Sequence, residues 1–402
     1  MEDAAVPPAG GAYEKSFKQA YQLACTNSGC EPNKGLIEML ETAAGGGPAL
    51  TEVIIKGNSQ ENFHARIGDP DVEALVAVFA QYSFGHVRTI DLSWNDITDK
   101  GCQALAGLLR ASPKITRLNL AYNSIGEAGI TVLSEALIAN NKLLFLDVRG
   151  NKVGDHGGLE IAKMLCANKS VRSVELGNMD LGHRTLTMLG EALKRNGALT
   201  HLNIDRPLLF SAQEEAIEQV AMGLRHNKAL LSLSIKQAGI RARGCYLLCD
   251  NLALNSTLHT LDLSSNKLPE DAGPSISKLL TLSQSLSTLH LANNQLGDRG
   301  CTALSDALAT NRTVTDLDVA YNSIAADGLM QLAGAIQQQA GLTKLRVWGN
   351  DLQAESTSQL AYACQQCRGL KECDMLVQIV DDTPNAVLKI TQESHCYQTG
   401  QV

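Results

Sequence analysis

The chain has 402 residues, 44% of them hydrophobic, and a formal net charge of −8. An acidic chain without a basic stripe cannot neutralise a run of phosphates, which argues against nucleic acid as a partner. No apolar run approaches the roughly 18 residues of a membrane span, and no charged and then apolar leader opens the chain. The expectation is an intracellular, cytoplasmic protein with no membrane partner, the nucleus being the alternative location.

Residues 1–12 are rich in Pro, Gly and Ala and are expected to be disordered. The spacing of Phe17, Ala20, Tyr21 and Ala24 predicts a helix from Tyr13 to Cys25. A second helix is expected after Pro32, through Leu36 and Leu40. Residues 13–49 then form a helical cap over the open end of the core that follows.

From residue 50 to 375 one phrase recurs, clearest as ITRLNLAYNSI from Ile115 to Ile125. Its first instance is Leu50, Val53, Ile55 and Asn58, followed by a loop around residues 59–68 and a helix opened by Asp69-Pro70-Asp71. The Asn slot of the later repeats falls at Asn95, Asn123 and Asn151, then at Met179, Pro207 and Ala238, then at Asn266, Asn294, Asn322 and Asn350. Eight of these nine steps are 28 residues, and the step from 207 to 238 is 31. Such a period means a leucine-rich repeat solenoid. Each unit gives a short strand, as at Thr89-Ile90-Asp91-Leu92, with Ile90 and Leu92 inward and Thr89 and Asp91 outward. The Asn amide is expected to bridge backbone groups of adjacent coils. A helix follows, as in Asp99 to Ala111, with Ala104, Leu105, Leu108 and Leu109 toward the core.

The fold class is therefore α/β: a horseshoe with parallel strands on its concave face and helices on its convex face. Eleven strands at about 4.8 Å would give an inner arc of roughly 50 Å. Residues 376–402 leave the repeat and are expected to cap the C-terminal end or to form a tail, with Val387-Leu388-Lys389-Ile390 as an edge strand or short helix.

No phosphate-binding loop, His-Glu-x-x-His or Gly-x-Ser-x-Gly motif is present. No catalytic residue, cofactor, metal or small-molecule substrate is expected. Of the 11 cysteines, Cys102, Cys245 and Cys301 occupy small apolar slots, and Cys245 and Cys249 read as core. Cys364, Cys367 and Cys373, with His395 and Cys396, have metal-like spacing, but Cys373 takes a strand's core slot and the others lie late in a helix. The glycosylation-like triplets at Asn168, Asn255 and Asn311 read as coincidence.

The outward strand positions are the functional candidates. Acids there are Asp91, Asp147, Glu175, Asp205, Asp262, Asp316 and Asp318; bases are Arg117, Arg149, Arg206, Lys236, Lys344 and Arg346. Seven against six gives no field of one sign. Aromatics are more informative. Trp94, Tyr122, Phe145, Tyr321 and Trp348 all read as outward, where 4% aromatic content would place one or two on about forty sites. Exposed Trp and Tyr are frequent interface anchors. The segment Arg206-Pro-Leu-Leu-Phe-Ser-Ala-Gln213-Glu214-Glu215 opens the long repeat and is the second candidate, as a projecting contact loop. The predicted partner-binding set is Trp94, Tyr122, Phe145, Arg206, Gln213, Glu214, Glu215, Tyr321, Arg346 and Trp348.

The uniform unit, with its Asn-x-Ile/Leu turn and Gly-x-x-x-Leu helical half, resembles the ribonuclease-inhibitor-like class of leucine-rich repeats. The closer pattern in Leu176-Gly-Asn-Met-Asp-Leu-Gly182, His201 to Glu215, Glu31-Pro32-Asn33 and Trp348-Gly349-Asn350 looks like an intracellular, non-enzymatic branch of that class. The resemblance implies a protein–protein interaction scaffold. It also implies partners in large assemblies, among them the axoneme of motile cilia and its radial spokes. Ran GTPase-activating proteins share the repeat type, which makes regulation of a small GTPase the alternative. They carry a long acidic tail, where this chain offers only Asp381-Asp382.

Overall fold

A computed structural model describes residues 12–44, 50–60, 66–81, 86–111, 114–210, 213–339, 341–380 and 383–388. The chain divides into two compact units, Met1–Thr185 and Leu186–Val402. In the first unit the strands Glu52–Ile54 (β1), Thr89–Asp91 (β2), Arg117–Asn119 (β3), Phe145–Asp147 (β4) and Ser173–Glu175 (β5) pair in sequence order, all parallel. In the second, His201–Asn203 (β6), Ser232–Ser234 (β7), Thr260–Asp262 (β8), Thr288–His290 (β9), Asp316–Asp318 (β10), Lys344–Arg346 (β11) and Glu372–Cys373 (β12) do the same. Met375–Val380 (β13) and Thr383–Leu388 (β14) form an antiparallel hairpin that packs on the last helix. Strands stacked one coil at a time, each followed by a helix, make both units leucine-rich repeat stacks.

The helices are Ala12–Ser28 (α1), Lys34–Ala44 (α2), Asp69–Gln81 (α3), Asp99–Ala111 (α4), Glu127–Ala139 (α5), Gly154–Ala167 (α6), His183–Arg195 (α7), Gln213–His226 (α8), Ala242–Leu252 (α9), Gly273–Leu282 (α10), Gly297–Thr310 (α11), Ala326–Gln338 (α12) and Ala354–Gln366 (α13). In α1, Phe17 and Tyr21 are fully buried and Phe17 meets Phe79 of α3 edge-on, so α1 packs against α3. In α4, Leu105, Leu108 and Leu109 are buried, but Ala104 is only half-buried and Ala106 takes the core position instead.

The Asn slot works as a backbone lock. Asn151 donates from Nδ2 to the carbonyls of Leu120 in the preceding coil and Val148 in its own, both at 2.9 Å, and its Oδ1 accepts from the amide of Ile125 at 3.1 Å. Asn95, Asn123, Asn266, Asn294, Asn322 and Asn350 repeat the pattern. Each therefore pairs groups on two coils that burial would otherwise leave without water. The residue before the slot adopts a left-handed conformation at Trp94, Tyr122, Gly150, Asn178, Arg206, Gln237, Ser265, Asn293, Tyr321 and Gly349, in the coils that lack the amide as well as in those that have it. Most of these are not glycine, so the turn carries about 1 kcal/mol or more of backbone strain per coil.

Three further bonding patterns were not apparent in the sequence. A second column of side-chain amides lies where the helices end. Asn168 donates to the carbonyls of Leu137 and Asn140 at 2.7 and 2.9 Å and accepts from the amides of Ser170 and Val171. Asn255 and Asn311 sit in the same column, buried, with their amides engaged. The glycosylation-like triplets are thus structural. In the second pattern, an acid in the first turn of one helix caps the next helix. Asp298 accepts from the amides of Ala325 and Gly328 at 2.8 and 3.0 Å, at the start of α12. Asp69, Asp99 and Asp155 do the same for α4, α5 and α7. Gly328 is required there, since a Cβ would fall 2.6 Å from the Asp298 carboxylate. In the third, an Asp or Asn closing a strand accepts from the amide two residues on, as Asp91 does from Ser93, Asn119 from Ala121 and Asp318 from Ala320.

In the irregular coils the slot is filled by apolar residues. Met179, Pro207 and Ala238 are all buried, and the coil of Ala238 is still tied to the next by Asn266, whose Oδ1 accepts from the amides of Ala238 and Ile240 at 3.0 and 3.1 Å as Asn350 does from Asn322 and Ile324. Residues 204–212, nine, separate β6 from α8, against seven, 92–98, between β2 and α4, so most of the extra length lies in the expected segment. Residues 1–11 and 389–402 lie outside the described residues, and so do 61–65 of the expected 59–68 loop.

Replacing Asn322, which is fully buried, by Ala is predicted to cost about 3 kcal/mol, because carbonyls on two coils lose their donor. The check is urea unfolding of the full chain, with Gln338→Ala, exposed in the last turn of α12, as the near-neutral control.

Candidate interaction surfaces on the strand faces

In the first unit the predicted residues come together in two pairs. The rings of Trp94 and Tyr122 stack with centroids 3.9 Å apart and planes 16° apart. Both stand in the left-handed slot, so each side chain leans over the next coil. Tyr122 lies across Gly150, where a Cβ would strike its ring. Trp94 stays 38% exposed, so one face of the stack remains open. Phe145, at the start of β4, carries the Arg117 guanidinium 4.0 Å above its ring centroid.

The outward acids of this unit are recessed. Asp91 and Asp147 are 9% and 1% exposed. Asp147 accepts from the Arg149 amide at 3.2 Å and meets its guanidinium at 3.1 Å. Burial is the dominant influence on its carboxyl and Arg149 offsets only part of it, so the pKa is pushed up to about 6. Lys56 lies 3.5 Å from Asp91. Lys56 and Arg149 are exposed over nearly half of their side chains and Arg117 is exposed, while the acids of β2 and β4 lie beneath. An even count of signs in the sequence therefore becomes uneven in what a partner can touch.

In the second unit the outward charges alternate from strand to strand. Lys236 lies 3.6 Å from Asp205 and 3.7 Å from Asp262. His290 lies 3.8 Å from Asp262 and 3.5 Å from Asp316, and Arg346 closes on Asp316 at 2.9 Å. Burial alone would lower the His290 pKa, but Asp262 and Asp316 on either side more than offset it and carry it to about 9. Both carboxyls are correspondingly held below their ordinary value despite burial. His290 is not among the outward charges that the sequence points to, because a histidine is neutral in a count of formal charge. The usable signal was its place in the strand column that holds Asp262 and Asp318. Arg346, expected as a partner contact, is instead engaged with Asp316 and its side chain is only 14% exposed.

The remaining predicted residues scatter. Tyr321 is 37% exposed and lies over Gly349, while Trp348 is half-buried one position away from the Trp94-type slot. Arg206 is exposed and bonds Gln237 through Nε. After it the chain alternates: Pro207 and Leu209 are buried, Leu208 is 45% and Phe210 81% exposed. Phe210 is thus the projecting side chain of this segment, although the sequence reading named its neighbours. Glu214 tucks toward Gly244 of α9, Glu215 is exposed, and the Gln213 side chain lies outside the described residues.

Among the described residues no group of three or more His, Cys, Asp or Glu is placed to hold a metal, and no helix is long and apolar enough to cross a membrane. His395 and Cys396 lie outside them. Cys364 is held protonated by the neighbouring Cys373 thiol and by burial. Cys102 and Cys301 are buried with thiols pushed up to about 12. Cys245 and Cys249 are buried free thiols 3.8 Å apart.

Two predictions follow from these titrations. For Asp147 the folded pKa, about 6, exceeds the unfolded 3.8, so its penalty is absent below pH 3.8 and full above 6. Asp147→Asn keeps the acceptor that Asn119 provides one coil earlier and should stabilise the chain by about 2 kcal/mol at pH 7, with the gain gone below pH 4 in urea melts. For His290 the folded pKa, about 9, exceeds the unfolded 6.5. Its contribution is full below pH 6.5 and is lost as pH rises through 9, so His290→Gln should flatten the decline of Tm between pH 6.5 and 9.5.

A family model described as Leucine Rich repeat matches residues 86–106, 111–134, 139–162, 282–305 and 310–333. Leucine-rich repeat-containing protein 34 of Mus musculus is 35% identical over 24% of this chain and 23% of its own length. The Homo sapiens protein of that name is 42% identical over 17% of this chain and 14% of its own length. The matched stretches thus span less than a quarter of these relatives. An internalin from Listeria monocytogenes superposes with a TM-score of 0.39 and 13% identity, covering 93% of this chain and 100% of that one. The fold assignment rests on the strand register and the Asn column rather than on that superposition. The chain is built of leucine-rich repeats and is similar over part of its length to leucine-rich repeat-containing protein 34.

Proposed function

We propose that the chain is a non-enzymatic scaffold that binds protein partners through its strand faces and through the segment 206–215. The observation that carries this is the open aromatic stack of Trp94 and Tyr122 on a face whose backbone is locked coil to coil. A rigid platform loses little entropy on binding, and large aromatic faces supply most of an interface's energy. The exposed Leu208 and Phe210 support the second contact. The finer reading, a place in the axoneme of motile cilia at or near the radial spokes, draws on the repeat class alone. Regulation of a small GTPase has no observation in its favour, and Asp381-Asp382 lies outside the described residues.

The test is cross-linking mass spectrometry in ciliated cells. The expected result is links to axonemal proteins from Lys56 or Lys344 on the strand faces, or from the 206–215 segment. Links confined to Lys163 and Lys278 on the helices would contradict the strand-face reading, and links only to nuclear or cytosolic factors would contradict the axonemal one.

A further inference from the structure

We infer that the strand face of the first unit is built to take an acidic, extended peptide of a partner protein; this rests on the scaffold reading and specifies the partner's chemistry. Four observations carry it. The Arg117 guanidinium stands over Phe145, its Cζ 4.0 Å from the ring centroid, and among the described residues it makes no hydrogen bond or ion pair. A cation–π contact uses the charge and not the five N–H donors of a guanidinium, so these remain available to a carboxylate. Arg149 stands four residues beyond Phe145 on the same coil, 44% exposed, with the carboxylate that balances it 2% exposed beneath. A partner therefore meets the guanidinium and not the acid. The Trp94–Tyr122 stack lies beside Arg149, since the Tyr122 amide donates to the Arg149 carbonyl at 2.8 Å.

The geometry sets a spacing. Phe145 holds Arg117 at one end of the β4 line and Arg149 stands at the other, about 13 Å away at roughly 3.3 Å per residue. An extended peptide along this line would place acids four residues apart, with an apolar or aromatic residue against the stack. Glu52 at the outer edge and the half-buried Glu175 flank this line and limit it to β2–β4. A nucleic acid fits less well. Counterion release scales with the number of phosphates met, and the cations this face presents among the described residues are Lys56, Arg117 and Arg149, with Asp91 and Asp147 close below.

The experiment is selection of a random 12-residue display library on the full chain, in parallel with Arg117→Gln and with Asp147→Asn/Arg149→Gln. The second variant removes both members of the buried pair, so that neither is stranded. Circular dichroism checks that both remain folded. The expected result is enrichment of Asp and Glu four apart around an apolar residue, lost on both variants. Selected peptides should bind at least tenfold more weakly to Arg117→Gln and should quench Trp94 fluorescence in a Trp348→Phe background. Enrichment without acids, equal pools on wild type and variants, no enrichment, or displacement of the peptides by a single-stranded oligonucleotide at lower concentration would each overturn the inference. Cross-links from partners to Lys344 or the 206–215 segment alongside such a failure would leave the scaffold reading standing; absence of any protein cross-link would remove both.

Discussion

An asparagine side-chain amide, repeated at seven of the ten slots from Asn95 to Asn350, is the interaction on which both units depend. A three-residue strand is too short to hold itself, and its turn exposes backbone groups toward the core. The amide answers with two donors and an acceptor that reach two coils at once, as Asn151 does between Leu120, Val148 and Ile125. The left-handed residue before the slot is strain that the coils carry with or without the amide. That constraint also sets the functional surface. The same left-handed slot throws Trp94, Tyr122 and Tyr321 outward over the following coil, so the turn that locks the core also presents the aromatics.

The two strand faces solve the problem of charge differently. In the second unit, acids and bases alternate from Asp205 to Arg346 and neutralise one another within the sheet, with His290 as a protonated link. In the first unit the acids sit low and the guanidiniums high. Surface ion pairs contribute little stability each, but the arrangement decides which sign a partner meets. Arg346 and Arg149 both read as outward in the sequence, yet one is spent inside the sheet and the other is presented.

The fold was legible because its period is long and uniform. The Asn slot, the core leucines and the displaced length after β6 could all be located by counting. What counting could not supply was contact between repeats. The helix caps from Asp69 and Asp298 reach across to the following coil, and the residues that need them, Gly101 and Gly328, look like ordinary repeat glycines. The second amide column was hidden because Asn168, Asn255 and Asn311 have the appearance of modification triplets. On the surface, side-chain direction decided matters that position could not. Trp348 is one residue out of phase with Trp94, and Phe210 rather than Gln213 or Glu214 marks the projecting segment.

The most direct test of this account is native-state hydrogen exchange at the amides that donate to a slot asparagine: Ile125, Leu268 and Ile324. If the side-chain lock holds the coils together, these turn amides should exchange as slowly as those of the neighbouring strands, opening only with the unit as a whole. Exchange at the rate of an ordinary surface turn would contradict the account, because the coils would then be held by their apolar core alone.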